Sequence, residues 1–433
     1  MHQIELWALI PFALMLLSIA VLPLLAEHWW ESNKHKLYIS ILLALPAAIY
    51  LIANDMGANL EHQILFDYVP FIVLLGALFV VTGGIHIRGD IQARPLNNTL
   101  IMLVGFLLAS FIGTTGAAML TIRLLLEVNQ QRKYKVHTIL FFIALVANCG
   151  GVLTPLGDPP LFLLYLRGAE FGWFMNLLPE WAFVGAILLI LYLAIDYSFY
   201  YRKEQTVDIM ADVHEKSPIT ITGKINIIYL VGIILSVSFL NPSYIPAMGD
   251  HHSPIYIQFL REIALIVLGV MSWLTTKKAI RKENKYSWEP IIEVAYLFIG
   301  IFVTMTPALI YLNAHAAELG LTKPWQFYYA SGILSAFLDN SPTAVAFHTV
   351  AQGLPTASGA VLEAGIDAML LRAIALGSVF FGAMTYIGNG PNFMVKAIAE
   401  QAGVNMPSFF GYMIKFSLVV LLPIYIIAQL IFL

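Results

Sequence analysis

Thr154-Pro155-Leu156-Gly157-Asp158-Pro159-Pro160 interrupts one long apolar run, and Thr385-Tyr386-Ile387-Gly388-Asn389-Gly390-Pro391-Asn392 interrupts another. Proline lacks a backbone N–H and glycine relaxes the backbone, so a helix cannot run straight through either stretch. The interrupted runs, 136–166 and 370–395, align at a constant offset: Gly151 with Gly382, Thr154 with Thr385, Gly157 with Gly388, Pro160 with Pro391 and Phe162 with Phe393. Each is preceded by an apolar stretch with a polar centre. The first, 100–126, holds Ser110-Phe111-Ile112-Gly113-Thr114-Thr115-Gly116; the second, 325–350, holds Phe337-Leu338-Asp339-Asn340-Ser341-Pro342-Thr343. Here Phe111 matches Phe337, Thr115 matches Ser341 and Ala118 matches Ala344. Arms of roughly 11–14 residues are too short to span a bilayer alone, so both stretches are expected to be re-entrant hairpins that enter and leave on one side.

Composition sets the medium. Of 433 residues, 59% are hydrophobic and 11% charged, and the mean hydropathy is +0.80. A soluble domain carries about 25% charged residues, so this chain lacks the polar surface to face water all round. Its net charge of −3 suggests no nucleic-acid partner, and Cys149, the single cysteine, excludes an internal disulfide. Leu6 to Ala26 is uncharged with no basic stretch before it, and reads as a retained first helix rather than a cleaved signal.

Ten crossings are expected, at 6–26, 37–54, 68–87, 136–166, 173–195, 225–241, 254–276, 290–312, 370–395 and 409–432, with the two hairpins between them. This count places nineteen of the 23 Lys and Arg on one side, Arg167, Lys323 and Arg372 on the other, and Arg261 inside a span. The positive-inside rule then makes the first side cytoplasmic and puts both termini outside the cytoplasm. An odd number of crossings separates the hairpins, so they enter from opposite faces. The fold class expected is an all-α polytopic membrane protein of two inverted repeats of five spans, each with a hairpin and a broken helix. The boundaries are 1–199 for the first repeat, 200–222 for a charged cytoplasmic linker and 223–433 for the second repeat.

Freed carbonyls, hydroxyls and carboxylates at mid-membrane suit a hard cation, while exposed N–H groups at half-helix starts suit an anion. Asp158 and Asp339 stand beside helix interruptions, one in each half, and an intramembrane acid points to function; both are candidate sodium ligands. The alternative for each is a helix cap. Further candidates are Thr114, Thr115, Asn340, Ser341 and Thr343 at the tips, and Asn148, Thr154, Gly157, Thr385, Gly388, Asn389 and Asn392 at the breaks, with turn chemistry the competing reading for the tips. Arg261 and Glu262 are neighbours on one span and are expected to face different directions. Glu293 is expected to reach the cytoplasmic interface, with a proton site as its alternative. His348 is read as structural, and His251 and His252 as solvated on an outside loop. No HExxH, GxSxG or Walker pattern is present, so enzyme signals are absent.

At these residues the chain resembles the ion-transporter superfamily of sodium/proton antiporters, arsenite-efflux pumps and sodium-coupled citrate and dicarboxylate transporters. Gly157-Asp158-Pro159-Pro160 resembles its GDPPN motif, and Asp339-Asn340-Ser341-Pro342 the DNxP hairpin of the antiporter branch. The likeness covers nearly the whole chain and lies closest to bacterial sodium/proton antiporters and citrate transporters. It implies a homodimer in a bacterial inner membrane, with a scaffold part and a moving transport part. Leu161 stands where many relatives have Asn, and Gly113-Thr114-Thr115 replaces the Ser-Asn-Thr that carboxylate transporters tend to use. The expected function is therefore sodium/proton antiport by alternating access at a midplane site, with sodium-coupled citrate or dicarboxylate symport as the alternative. A non-transporting scaffold or receptor has no need of paired broken helices. No cofactor is expected beyond sodium as the transported or coupling ion; the partners are the lipid bilayer, sodium, protons and a carboxylate.

Overall fold

The computed structural model describes residues 4–205, 217–250, 252–356 and 359–433; His251 and the middle of the linker, 206–216, lie outside the described residues. Within them the chain is helical almost throughout, with two short two-stranded ribbons as its only sheet. Among the described residues eight helices are long and apolar enough to cross a bilayer, from Leu6–Pro23 to Phe409–Phe432, and Ile225–Phe239 and Ala368–Gly382 are shorter apolar helices. The protein is an all-α polytopic membrane protein.

Its surface is built for lipid. On helix Asn33–Ala53, Ile41, Leu42, Leu45, Ile49 and Ile52 are exposed, while Lys36, Ser40, Ala47 and Leu51 are buried. The apolar stripe faces outward, the reverse of a helix on a soluble core. The inward face is small enough for close backbone approach: a Cβ on Gly300 of helix Glu289–Ala314 would lie 2.8 Å from Ser40 Cβ. Lys36 in the same seam pairs with Glu293 at 2.7 Å, so Glu293 neutralises a buried lysine rather than simply reaching for the interface.

Contacts divide the helices into two groups. Leu6–Pro23, Asn33–Ala53, Gly57–Thr82, Ile225–Phe239, Leu260–Thr275 and Glu289–Ala314 pack on one another; the hairpins, the interrupted helices, Phe171–Lys203 and Phe409–Phe432 form the second group. The first three helices of each half thus fall in one group and the elements after them in the other.

The first hairpin has arms Pro95–Ile112 and Thr114–Val128, 18 and 15 residues long. They exceed the 11–14 expected, and the first arm alone is long enough to cross a bilayer. The helix starts early because Pro95 occupies its first position, where a missing N–H costs nothing, and because Asn98 is buried in a reciprocal amide pair with Asn129 at 2.8 and 2.9 Å. That pair ties the two open ends together. The chain turns at Gly113, whose φ of +81° is a conformation that glycine adopts without a Cβ penalty. The second hairpin has arms Pro324–Phe337 and Asn340–Gln352.

The third helix differs in extent from expectation, and the end of the linker takes regular structure. The third helix runs Gly57–Thr82, not 68–87, because its polar start is folded inward: Gln63 and Asp67 are buried in a π-turn stretch, Gln63–Tyr68. The end of the linker is a strand, Ser217–Thr222, paired antiparallel with His86–Asp90 in a register that sets His86 opposite Thr222. Alternating Ile219, Thr220, Ile221 and Thr222 suit a ribbon.

Gly300→Val is expected to lower the melting temperature of the purified protein by several degrees, since overpacking costs about 1–3 kcal/mol and the new side chain meets Ser40 and the Met15 side chain. Gly57→Ala, with open space around it, leaves the temperature unchanged. Equal stability of the two variants in a thermal-shift series contradicts the packing described.

Candidate functional site

Each break is tied to its own hairpin in the same way. Thr154 Oγ1 donates to the carbonyl of Ser110 and accepts from Leu156 N at 3.2 Å. Thr385 Oγ1 donates to the carbonyl of Ala336 and accepts from Ile387 N at 3.2 Å and Gly388 N at 3.1 Å. Ser110 and Ala336 stand one residue before Phe111 and Phe337, so the equivalent threonines hold equivalent carbonyls. The backbone also closes on itself: a Cβ on Gly157 would lie 2.0 Å from the Gly151 carbonyl oxygen, and one on Gly388 would lie 2.7 Å from that of Gly382. The aligned glycines thus permit two backbone crossings. Thr114 N donates to the freed Gly157 carbonyl at 2.7 Å, joining tip to break.

Asp158 sits where these pieces meet and is 1% exposed. It is the N-cap residue of helix Pro159–Leu166 but makes no side-chain capping bond. Pro159 and Pro160 remove the donors of the first two positions, so the carboxylate is free to face the hairpin tips. Thr114 Oγ1 donates to its Oδ1 at 2.7 Å, and Asn340 Nδ2 donates to its Oδ2 at 2.6 Å. Thr114 and Asn340 are equivalent tip positions, each one residue before the matched Thr115 and Ser341. From the other break Asn389 Nδ2, at the position equivalent to Asp158 itself, donates to Oδ1 at 3.1 Å. A single carboxylate is therefore gripped by both tips and the opposite break, and all three donors are neutral.

Asn148 and Asn392 form the floor of this cage. Asn148 Nδ2 donates to Asn392 Oδ1 at 2.6 Å, and Asn148 Oδ1 accepts from Asn389 at 3.2 Å. Asn392 Nδ2 in turn holds the carbonyls of Gly382 and Thr385 at 2.7 and 2.9 Å. Ser341 Oγ donates to Asn340 Oδ1 at 3.3 Å, which fixes the amide with its NH2 toward Asp158.

Asp339 is placed differently. Its carboxylate caps helix Asn340–Gln352, accepting from Ser341 N at 2.9 Å, and it is Asn340 beside it that reaches Asp158. Thr343 Oγ1 donates to the Asp339 carbonyl at 3.0 Å and stays within the tip. Thr115 is half-buried and lines a mostly apolar crevice with Thr82, Gly113, Thr114, Gly157 and Val294, which runs between the two helix groups to the first tip. Among the described residues no three His, Cys, Asp or Glu side chains gather round one point. A cation at Asp158 would be held by a set of oxygens, from the carboxylate, Thr114 and neighbouring carbonyls, of the kind that hard cations prefer.

Arg261 and Glu262 do pair, contrary to expectation: the guanidinium meets Glu262 Oε1 at 2.6 Å. Side chains at successive helix positions diverge, but the arginine is long enough to curl back, and it is held over the rings of Phe162 and Tyr165 with its carbon 5.6 and 5.4 Å from their centroids. His348 Nε2 lies 3.0 Å from the carbonyl of Ala364. Several buried ion pairs escaped the sequence reading: Arg132 with Asp196 at 2.6 Å, Arg372 with Glu180 at 2.8 Å and Arg167 with Asp67 at 3.1 Å. An isolated acid in an apolar helix signals that a partner exists, but its identity depends on tertiary packing.

Three curated proteins are similar to the chain. An inner membrane protein of Escherichia coli, YbiR, is 27% identical over 28% of this chain, and the match spans 36% of that protein's length. The uncharacterized transporters Mb2703 of Mycobacterium bovis and Rv2684 of Mycobacterium tuberculosis are each 24% identical over 81% of this chain and 81% of their own length. The family described as "Putative citrate transport" matches residues 1–433 from end to end, so the chain belongs to that citrate-transport family and is a multi-pass membrane transporter.

Proposed function

We propose that this transporter exchanges sodium for protons at Asp158, by alternating access, in a bacterial inner membrane and as a homodimer with both termini outside the cytoplasm. The observation that carries the reading is a buried carboxylate whose hydrogen-bond partners are all neutral. With no fixed cation to neutralise it, its charge is balanced either by a proton or by a bound cation. One site that accepts either, but not both, is an exchanger.

The amides suit the exchange. Asn340 and Asn389 present NH2 groups to the carboxylate; a half-turn of either carboxamide presents its oxygen instead, which a cation requires. Thr114, Thr154 and the Gly157 carbonyl supply further oxygens, and Asp339 supplies a second acid at the neighbouring tip. The two inverted repeats then let the site open to each side in turn.

The second reading, sodium-coupled uptake of citrate or a dicarboxylate, is favoured by the family description. In that case Asp158 holds the coupling ion and the anion binds elsewhere, because an unpaired carboxylate repels it.

In proteoliposomes with an internal pH dye, sodium added against a pH gradient is expected to trigger proton flux, and potassium is not. Asp158→Asn removes the charge while keeping the shape, and should abolish the flux in folded protein; undiminished exchange sinks the proposal. Below the carboxyl's own pKa, each unit of acidification should weaken apparent sodium affinity about tenfold, because proton and cation compete for one charge. Sodium-dependent citrate accumulation without sodium-driven proton flux moves the protein to the second reading.

Pro160→Ala restores an N–H at the second helical position, where an N-cap carboxylate ordinarily binds. Asp158 is then drawn back toward its own helix and away from the tips. Flux should fall roughly tenfold, the worth of about 1.4 kcal/mol, without loss of thermal stability. Unaltered flux would mean that the two prolines do not set the direction of the carboxylate.

A further inference from the structure

The corner that joins helix Leu260–Thr275 to helix Glu289–Ala314 carries Lys277, Lys278, Arg281, Lys282 and Lys285 against only Glu283 and Glu289. Arg281 turns into the protein. Its Nη1 donates to the Val80 carbonyl at 2.7 Å and its Nη2 to the Ser272 carbonyl at 3.1 Å. Each carbonyl lies in the last turn of its helix, where a cation is favoured. Asn284 Nδ2 holds the carbonyls of Gly83 and Ile85 at 2.9 and 2.6 Å. The corner is thus fastened to two helix ends rather than left as a free loop.

The four lysines are all exposed. Among the described residues no ion pair engages them; the nearby Glu283 lies 3.9 Å from His86 instead. Other cations of the chain do meet acids: Lys36 meets Glu293, Arg132 meets Asp196 and Lys396 meets Glu400. Lys285 adds a second observation. It follows Asn284, the C-cap of helix Lys278–Glu283, and its φ of +49° is left-handed. Glycine is the usual residue at that position. A lysine there is strained, and such strain points to a use for the side chain.

The neighbouring surface faces lipid. Ile263, Ile266, Val267, Val270 and Leu274 are exposed along helix Leu260–Thr275. Trp273 and Trp288 are exposed as well, with ring centroids 5.2 Å apart, and the Arg281 guanidinium carbon lies 4.8 Å from the Trp273 ring. Exposed tryptophans at the end of a lipid-facing helix mark the headgroup level. Lys277 comes four residues after Trp273, so the lysines stand at the depth of the lipid phosphates. Asn33 donates to the Glu289 carbonyl at 3.2 Å, which brings exposed Lys34 and Trp29 beside this corner. A water-soluble acidic partner needs the charges but not the apolar stripe and the two indoles. A lipid uses all three.

We propose that this corner is a docking surface for anionic phospholipid. Lys277, Lys278, Lys282 and Lys285 meet the headgroup phosphates, Trp273 and Trp288 sit at the boundary, and the acyl chains lie along the outer face of helix Leu260–Thr275. The surface is separate from Asp158 and does not depend on what the protein transports.

The test uses the purified full-length protein in phosphatidylcholine bilayers doped with brominated lipid, which quenches tryptophan on contact. Brominated phosphatidylglycerol is expected to quench at about a tenfold lower mole fraction than brominated phosphatidylcholine, since each lysine near an anionic surface contributes up to about fivefold. Replacing all four lysines with Gln should remove that preference, and Trp273→Phe with Trp288→Phe should remove most of the selective quenching. Lys285→Gly should weaken the preference several-fold without loss of thermal stability. Arg202→Gln with Lys203→Gln, exposed cations at another corner, should leave it unchanged. Equal quenching by the two lipids would leave the lysines to a water-soluble acidic partner and overturn the proposal. So would a preference that survives loss of the four lysines, an equal loss in the Arg202 and Lys203 variant, or displacement of the lipid by inorganic phosphate.

Discussion

An ionised carboxylate cannot stand alone in a bilayer, and Asp158 is satisfied only by groups that three other chain segments bring to it. Thr114 comes from the first tip, Asn340 from the second and Asn389 from the second break. None reaches the centre of the molecule unless the chain before it stops and turns. The interruption at 154–160 needs two prolines to turn the carboxylate away from its own helix. The hairpins need arms that end where the site begins, and the crossings at Gly157 and Gly388 leave no room for any Cβ. The breaks cost the helices several backbone hydrogen bonds, and the threonines at 154 and 385 recover part of that by binding freed donors and carbonyls.

The backbone is doubled but the chemistry is not. Asp158 and Asn389 hold equivalent positions, and one is the acid while the other donates to it. Gly113 and Asp339 are likewise equivalent, one a turn residue at positive φ and the other a cap. Leu161 pairs with Asn392, and only the asparagine takes part in the polar floor. Two equivalent acids facing each other would repel, and both could not be ionised together. Replacing one with an amide keeps the geometry and turns the repulsion into a hydrogen bond.

Much of this was legible in the sequence because the signals were local. Proline, glycine and aspartate within seven residues announce a break, and a repeated register announces that it occurs twice. The tip positions Thr114 and Asn340 fell among the candidates for the same reason. What the sequence hid was decided by packing over distance. Arg261 and Glu262 diverge on an ideal helix wheel, and only the rings of Phe162 and Tyr165 explain why the arginine folds back. Helix Gly57–Thr82 begins in polar sequence because Gln63 and Asp67 turn inward, Asp67 toward Arg167, a hundred residues away. The sequence also marked Asp158 and Asp339 alike. The difference between them lies in the next residues: two prolines follow one, while Asn340 and Ser341 follow the other and leave a donor for the cap.

The seam between the two helix groups combines two kinds of contact. Inside each group, small residues press backbones together: Gly300 against Ser40 in one, Gly105 against Val146 and Thr121 in the other. Such packing cannot slide without opening voids, and voids forfeit the dispersion that holds the helices. Across the seam, beside the end of helix Pro159–Leu166, the contacts are polar and replaceable. Arg167 meets Asp67, Tyr165 donates to the Val237 carbonyl at 2.7 Å, and Arg261 lies over Tyr165. Where a cavity admits water, hydrogen bonds of this kind exchange for solvent at little net cost. Close packing crosses the seam as well: a Cβ on Gly116 would lie 2.9 Å from the Thr82 side chain, and one on Gly353 2.2 Å from the Asn313 carbonyl oxygen, so the replaceable polar contacts occupy only part of the seam, along which the crevice at the first tip also lies.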